Sequence, residues 1–194
     1  MDLYSYLDVL ICDYIFEKKF YKVNKKDIIW KIAYLGMSLG VFMVDQTTKA
    51  WAARKLHFGG DKSVIQDFLT FSYAQNTGVA FSMLDDHGDA GRFGLSAVAG
   101  VAALLVLYYF WRVPRSNDRL LGALALLLAG IVGNLTDRIR LGYVIDFIDV
   151  QLSSWHYPTF NVADMAICIG AGLLILDLFF NRKKTEEPKT ESSN

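Results

Sequence analysis

The chain has 194 residues, enough for one sizeable domain, yet 53% are hydrophobic and the mean hydropathy is +0.26, so much of its apolar surface is expected to face lipid rather than a core. Twenty basic residues balance twenty acidic ones at zero formal net charge, which excludes the overall electrostatic footprint of a nucleic-acid binder. Cys12 and Cys168 lie far apart in apolar surroundings and His57, His87 and His156 are scattered, so neither a disulfide framework nor a metal motif is indicated.

Residues 1–27 form a leader. Asp2, Asp8 and Asp13 interrupt its apolar stretch, and its lysines follow that stretch instead of preceding it, so it does not read as a cleaved signal peptide. Tyr4, Leu7, Leu10, Ile11, Tyr14 and Ile15 recur at helical spacing, which predicts an amphipathic helix lying in the membrane interface.

A membrane-spanning helix needs about 20 mainly apolar residues, with roughly 17 as the minimum. Residues 28–44, about 93–113 and 162–180 meet this, and the run from 120 to about 135 stands at that limit. The first and third runs are short and end in polar residues, Asp45 and Gln46 after one and Asn134, Asp137 and Arg138 after the other, which places those groups at the membrane boundary. Gly36, Gly40, Gly100, Gly122, Gly130, Gly170 and Gly172 would let the helices pack closely in lipid.

Between the first two spans, Lys49 stands four residues after Asp45 and Trp51 offers an interfacial anchor, so residues 45–56 are expected to form a separate outer-face helix. In FLTFSYA, residues 68–74, Leu69, Phe71 and Tyr73 alternate with Thr70 and Ser72, which is strand periodicity. Asn76 and Gly78 mark a turn. A small outer sheet within about residues 62–84 is therefore expected, packed on the membrane face. Lys18, Lys19, Lys22, Lys25 and Lys26 in the leader, Arg112, Arg115 and Arg119 between spans two and three, and Arg182, Lys183 and Lys184 in the tail put both termini in the cytoplasm and loops 45–92 and 136–161 outside. The tail, 181–194, has a polar composition typical of disorder. The aromatic runs at 108–111 and 178–180 read as interfacial belts, and Asp149 as a water-facing loop residue.

Acidic residues at the edges of such spans are costly, and their default reading is functional. Asp45, Asp137, Asp146, Asp149 and Asp164 gather on one side, accompanied by Asn76, Asn134, Asn161 and Arg138. Asn134, Asp137 and Arg138 share one helix face at i, i+3 and i+4. Asp146 lies between Ile145 and Phe147, an apolar setting, and Asn161 and Asp164 stand three apart at a helix start. Desolvation and mutual repulsion could drive such carboxylates to different pKa values, the requirement for a pair sharing one proton, in which one group activates water and the other polarises a carbonyl.

DQTTKAW (45–51), NTGVAFS (76–82), GNLTDRIRLGYVIDFID (133–149) and FNVAD (160–164) resemble, in order, the signature blocks of the lipoprotein signal peptidases, across about residues 28–180. The resemblance implies an all-α membrane protein of four transmembrane helices with a small extracytoplasmic β-sheet, or cradle. It further implies an aspartyl endopeptidase of the bacterial inner membrane that cleaves diacylglyceryl-modified prolipoproteins before the lipidated cysteine; no cofactor or metal is expected, and a monomer among membrane lipids is. Within these motifs the catalytic pair falls on Asp146 and Asp164, with Asp45, Asn76, Gly78, Asn134, Asp137, Arg138, Asn161 and Ala163 in support. Asp137 is the rival of Asp146, set aside because Arg138 stands beside it. The leader has no counterpart in the compact family pattern, and Val79 and Val150 depart from it without touching the carboxylates.

Plainer readings compete. Asp164 at N3 and Asn161 at the N-cap would stabilise a helix start whatever else they do. Asp45 and Lys49 read as a surface pair worth about 0.3 to 0.5 kcal/mol, with Asp45 bracing the outer sheet. A cation channel or proton-coupled transporter would use the same acids as an ion path, but no internal repeat is evident. A non-catalytic scaffold would use only the outer sheet.

Overall fold

The structure, a computed structural model, describes residues 25–57, 59–78, 88–152 and 155–186. The expected leader helix, residues 79–84 of the expected sheet segment and residues 187–194 lie outside these. Among the described residues four helices are long and apolar enough to cross a membrane: α1 (Lys25–Lys55), α2 (Gly88–Arg112), α3 (Asp118–Leu141) and α4 (Val162–Glu186). Among the described residues four strands accompany them: β1 (Lys62–Ile65), β2 (Leu69–Asn76), β3 (Val144–Leu152) and β4 (Trp155–Phe160). They form one antiparallel sheet in the order β1-β2-β3-β4. The description all-α is therefore too narrow, because the loop between the third and fourth spans contributes half of a sheet that alternation revealed only in β2.

Helix lengths also differ from expectation. α1 does not stop at Val44 and restart; it runs unbroken through Asp45, Gln46 and Lys49 to Lys55. α3 likewise continues through Asn134 and Asp137 to Leu141, ending on Gly142, whose positive φ of 90° closes the helix by returning its N–H to the Arg138 carbonyl. Of the polar residues that look like stop signals, Asp45, Asn134 and Asp137 are instead buried, and Gln46 and Arg138 are half-buried. α4 extends beyond Phe180 into the expected polar tail.

α3 is the central element, packed on α1, α2 and α4. At one end Phe110, Val113, Leu120, Leu121, Leu124 and Ala125 form a buried cluster, to which Tyr34 and Leu174 add. The α3–α4 contact is close because small residues face backbone: a Cβ on Gly130 would collide with the Ala163 carbonyl, and one on Gly170 would lie 2.8 Å from the Ala123 carbonyl. Gly36, Gly40, Gly100 and Gly172 make no such approach.

At the other end the sheet docks on α1. Ala52 and Leu56 pack with Ile145 and Phe147 of β3, and Trp51 meets Phe71 and Phe147 edge-on at 5.7 and 6.4 Å. Trp51 thus wedges helix to sheet rather than anchoring at the interface. With Ile145 and Phe147 facing α1, period-2 alternation turns Asp146 to the opposite face.

Candidate active site

Three pieces of chain carry two carboxylates together. On β3, Asp146 is 1% exposed. β2 and β3 pair Leu69 with Val150 through Phe71 with Ile148, then slip by one residue so that Ala74 faces Asp146 and Asn76 faces Val144. The extra residue in β2 sets the face on which Asn76 emerges. Asn76 becomes the diagonal neighbour of Asp146 and donates from Nδ2 to Asp146 Oδ2 at 2.9 Å. Its own Oδ1 accepts the Gly78 N–H at 2.9 Å, which fixes the amide orientation. Gly78 has φ of 88°, and a Cβ there would run into Leu95, so conformation and space both select glycine.

Asp164 enters from the first turn of α4. Asn161 Oδ1 accepts the Asp164 N–H at 3.0 Å, and Asp164 Oδ2 accepts the Asn161 N–H at 3.1 Å, a reciprocal cap of the helix start. The expected capping geometry is therefore present, but it engages only one carboxylate oxygen. The other, Oδ1, accepts from Asn134 Nδ2 at 2.8 Å. Asn161 in turn sends its side-chain amide to Asp146 Oδ1 at 2.6 Å, so a single residue touches both carboxylates. Burial pushes the Asp146 carboxyl up to about 6; the Asn76 and Asn161 hydrogen bonds and the Lys49 charge oppose this, while the Asp164 charge adds to it.

A buried charge cluster underlies the pair. Lys49 Nζ lies 2.9 Å from Asp45 Oδ2 and 3.0 Å from Asp137 Oδ2, and it donates to Asn134 Oδ1 at 2.9 Å. Asp45 and Lys49 are 0% and 1% exposed. The reading of this pair as a surface contact is thereby corrected. Asp45 braces α4 rather than the sheet, its Oδ1 accepting the Ala163 N–H at 2.8 Å. Gln46 Nε2 bridges Asp45 Oδ2 and Asp137 Oδ1, each at 3.1 Å. Asp137 also accepts the Ile145 N–H at 3.2 Å, which ties α3 to the residue before Asp146. Its counter-charge is Lys49 rather than the neighbouring Arg138. Arg138 feels Asp164, Asp146 and Asp137, and its buried Nε has no hydrogen-bond partner among the described residues.

All ten expected site residues thus converge, Gly78 and Ala163 through backbone amides. Asp149 lies apart and is half-buried rather than water-facing, with its Oδ1 2.6 Å from His156 Nε2. Sequence reasoning gave Lys49 too small a part, since its i,i+4 spacing reveals Asp45 but not Asp137 or Asn134. It passed over Asp177, which is buried and accepts from Asn117 Nδ2 at 3.1 Å, although an acid inside the apolar run LLILDLFF is itself a signal.

Residues 37–180 match the family model described as signal peptidase (SPase) II. A lipoprotein signal peptidase of Acinetobacter baumannii is 37% identical over 91% of this chain and 97% of its own length. One from Pseudomonas putida is 42% identical over 81% of this chain and 92% of its own. A bacterial membrane enzyme solved by the in meso method at 2.3 Å superposes with a TM-score of 0.71 at 28% identity, covering 82% of this chain and 94% of that one. With most of its length matched in sequence and in fold, this chain belongs to the signal peptidase II family of bacterial membrane proteases.

Proposed function

We propose that the protein removes signal peptides from diacylglyceryl-modified prolipoproteins, with Asp146 and Asp164 as an aspartyl pair that hydrolyses the bond before the lipidated cysteine. The observation that carries this reading is the Asn161 bridge, which contacts one oxygen of each carboxylate and so holds the two acids beside one residue. The family's relatives, named lipoprotein signal peptidases, supply the substrate class.

In this account Asp146, whose carboxyl burial pushes up, holds the shared proton as the water attacks. Asp164 takes a proton from water as the water oxygen attacks the scissile carbonyl carbon, and Asp146 gives its proton to the carbonyl oxygen. In the resulting gem-diol one hydroxyl returns a proton to Asp146, the C–N bond breaks, and Asp164 delivers its proton to the departing amine. One water is consumed and the pair is restored. Arg138, half-buried and in the field of Asp164, Asp146 and Asp137, helps position the pair and the substrate backbone. The lysine and arginine distribution supports an orientation with both termini in the cytoplasm and the sheet, as a cradle, at the outer face of the inner membrane.

The test is incubation of the purified protein with a preprolipoprotein in lipidated and unlipidated form, followed by product masses. A cut immediately before the lipidated cysteine, absent without the lipid, is expected. Cleavage elsewhere, or none, would overturn the assignment.

A further inference from the structure

Arg92 opens the apolar run of α2 and is half-buried. Its guanidinium donates from Nε to the Arg138 carbonyl at 3.0 Å and from Nη2 to the Ile139 carbonyl at 2.8 Å. The last carbonyls of a helix have no partner within it, so Arg92 satisfies two that α3 leaves open and sets a positive charge against the negative end of its dipole. Two N–H groups in a rigid fork fit two successive carbonyls. A lysine ammonium, one nitrogen on a flexible stem, does not match that pattern.

The clamped turn of α3 lies next to the site. It carries Arg138 itself, and Gly142 and Tyr143 lead from it directly into β3 and Asp146. Arg92 also covers that connection, its Cδ, Nε and Cζ lying 3.5 Å from where a Gly142 Cβ would stand. Asp137 holds the same connection by accepting the Ile145 N–H. Three residues further along α2, on the same face as Arg92, Leu95 packs so closely on Gly78 that a Cβ there would strike it. That glycine ends the turn which orients the Asn76 amide toward Asp146. One face of α2 thus supports two of the segments around Asp146, although among the described residues no hydrogen bond to Asp146 or Asp164 comes from α2.

We propose that Arg92 is a positioning residue for the proteolysis: it clamps the connection from α3 into β3 and thereby fixes the aim of Arg138 at the carboxylate pair. Resting on the proteolytic reading above, this adds a residue that acts through Arg138 and touches neither the carboxylates nor the substrate.

Arg92→Gln and Arg92→Lys are made in the full chain, alone and together with Arg138→Lys, and kcat on lipid-modified preprolipoprotein is measured per folded molecule. Loss of the fork is expected to lower kcat about tenfold in each single variant. Where Arg138 is already lysine the further loss should be less than about threefold, because the two residues act as one unit. Arg92→Lys keeps the charge at the helix end, so its unfolding midpoint should stay near wild type while kcat falls. An equal loss in both backgrounds would place the effect of Arg92 elsewhere, an unchanged kcat would make the clamp idle, and failure of both variants to fold would make it structural; each overturns the proposal. Should Arg138→Lys abolish turnover, the Arg92→Lys protein decides: a fall in kcat at the wild-type midpoint supports the proposal, and a fall of both together contradicts it. If the wild type itself cleaves no substrate, the proteolytic reading fails, while amide exchange over residues 142–146 still tests the clamp. Exchange about tenfold faster in Arg92→Gln is expected, and unchanged exchange contradicts it.

Discussion

Asn161 donates its side-chain amide to Asp146 at 2.6 Å while its backbone amide reaches Asp164 at 3.1 Å, so one residue at the start of α4 contacts both carboxylates. Asn161→Ala removes both the helix cap and the bridge to Asp146. A loss of about 1 to 3 kcal/mol in stability is expected. Proteolysis should fall roughly a hundredfold, since misplaced reacting groups cost about that much. Thermal unfolding and initial rates on one preparation check both; activity near wild type would show that the bridge is dispensable.

Lys49 compensates two buried acids at once. Lys49→Met leaves Asp45 and Asp137 unpaired and withdraws a donor from Asn134, which orients Asp164. Breaking a buried pair this way costs about 3 to 5 kcal/mol. Expression and unfolding midpoint should both drop, and Asp45→Asn or Asp137→Asn in the same background should recover part of the loss. A Lys49→Met protein as stable as wild type would contradict the burial of this cluster.

The raised pKa of Asp146 has a definite sign. Between 3.8 and about 6 the native state binds a proton that the unfolded chain has released, so stability falls as pH rises through that window, by about 3 kcal/mol in full. In Asp146→Asn that slope should disappear. With Asp146 as the proton holder, kcat/KM should decline on the alkaline side with a midpoint near 6. Asn76→Ala removes a hydrogen bond that favours the carboxylate and should move the midpoint upward. A midpoint unmoved by Asn76→Ala would assign the limb to another group.

Close approach at Gly133 is separable from helix propensity. A Cβ there would lie 2.7 Å from Asp45 Oδ2 and 3.2 Å from the Ala163 Cβ, whereas one on Gly40 meets nothing within 4 Å. Gly133→Ala is expected to destabilise by about 1 to 3 kcal/mol through overpacking. Gly40→Ala should be neutral, or stabilising by up to about 1 kcal/mol. Unfolding midpoints of the two variants in one detergent compare them directly.

These particulars show what a one-dimensional reading reaches. Four apolar runs marked the helices, since hydropathy is a local property, and alternation in FLTFSYA marked β2. β3 escaped because residues 144–147 are all buried, leaving no alternation of apolar and polar side chains to read. Both underestimated helices failed for one reason: Asp45, Lys49 and Asp137 neutralise one another across more than eighty residues of chain, so a polar cluster that resembles a helix end sits in a helix interior. The Asn161–Asp164 cap was legible from spacing. The Asn76–Asp146 contact was not, because it depends on a one-residue slip between β2 and β3.

The most direct measurement takes equal amounts of inserted, folded wild type, Asp146→Asn and Asp164→Asn, incubates each with lipid-modified preprolipoprotein and follows product mass over time. The account predicts release of the signal peptide by wild type and a loss of about a thousandfold in each variant, within the range expected when a group that transfers a proton in the transition state is removed. Processing by either variant at a rate near wild type would contradict the aspartyl pair.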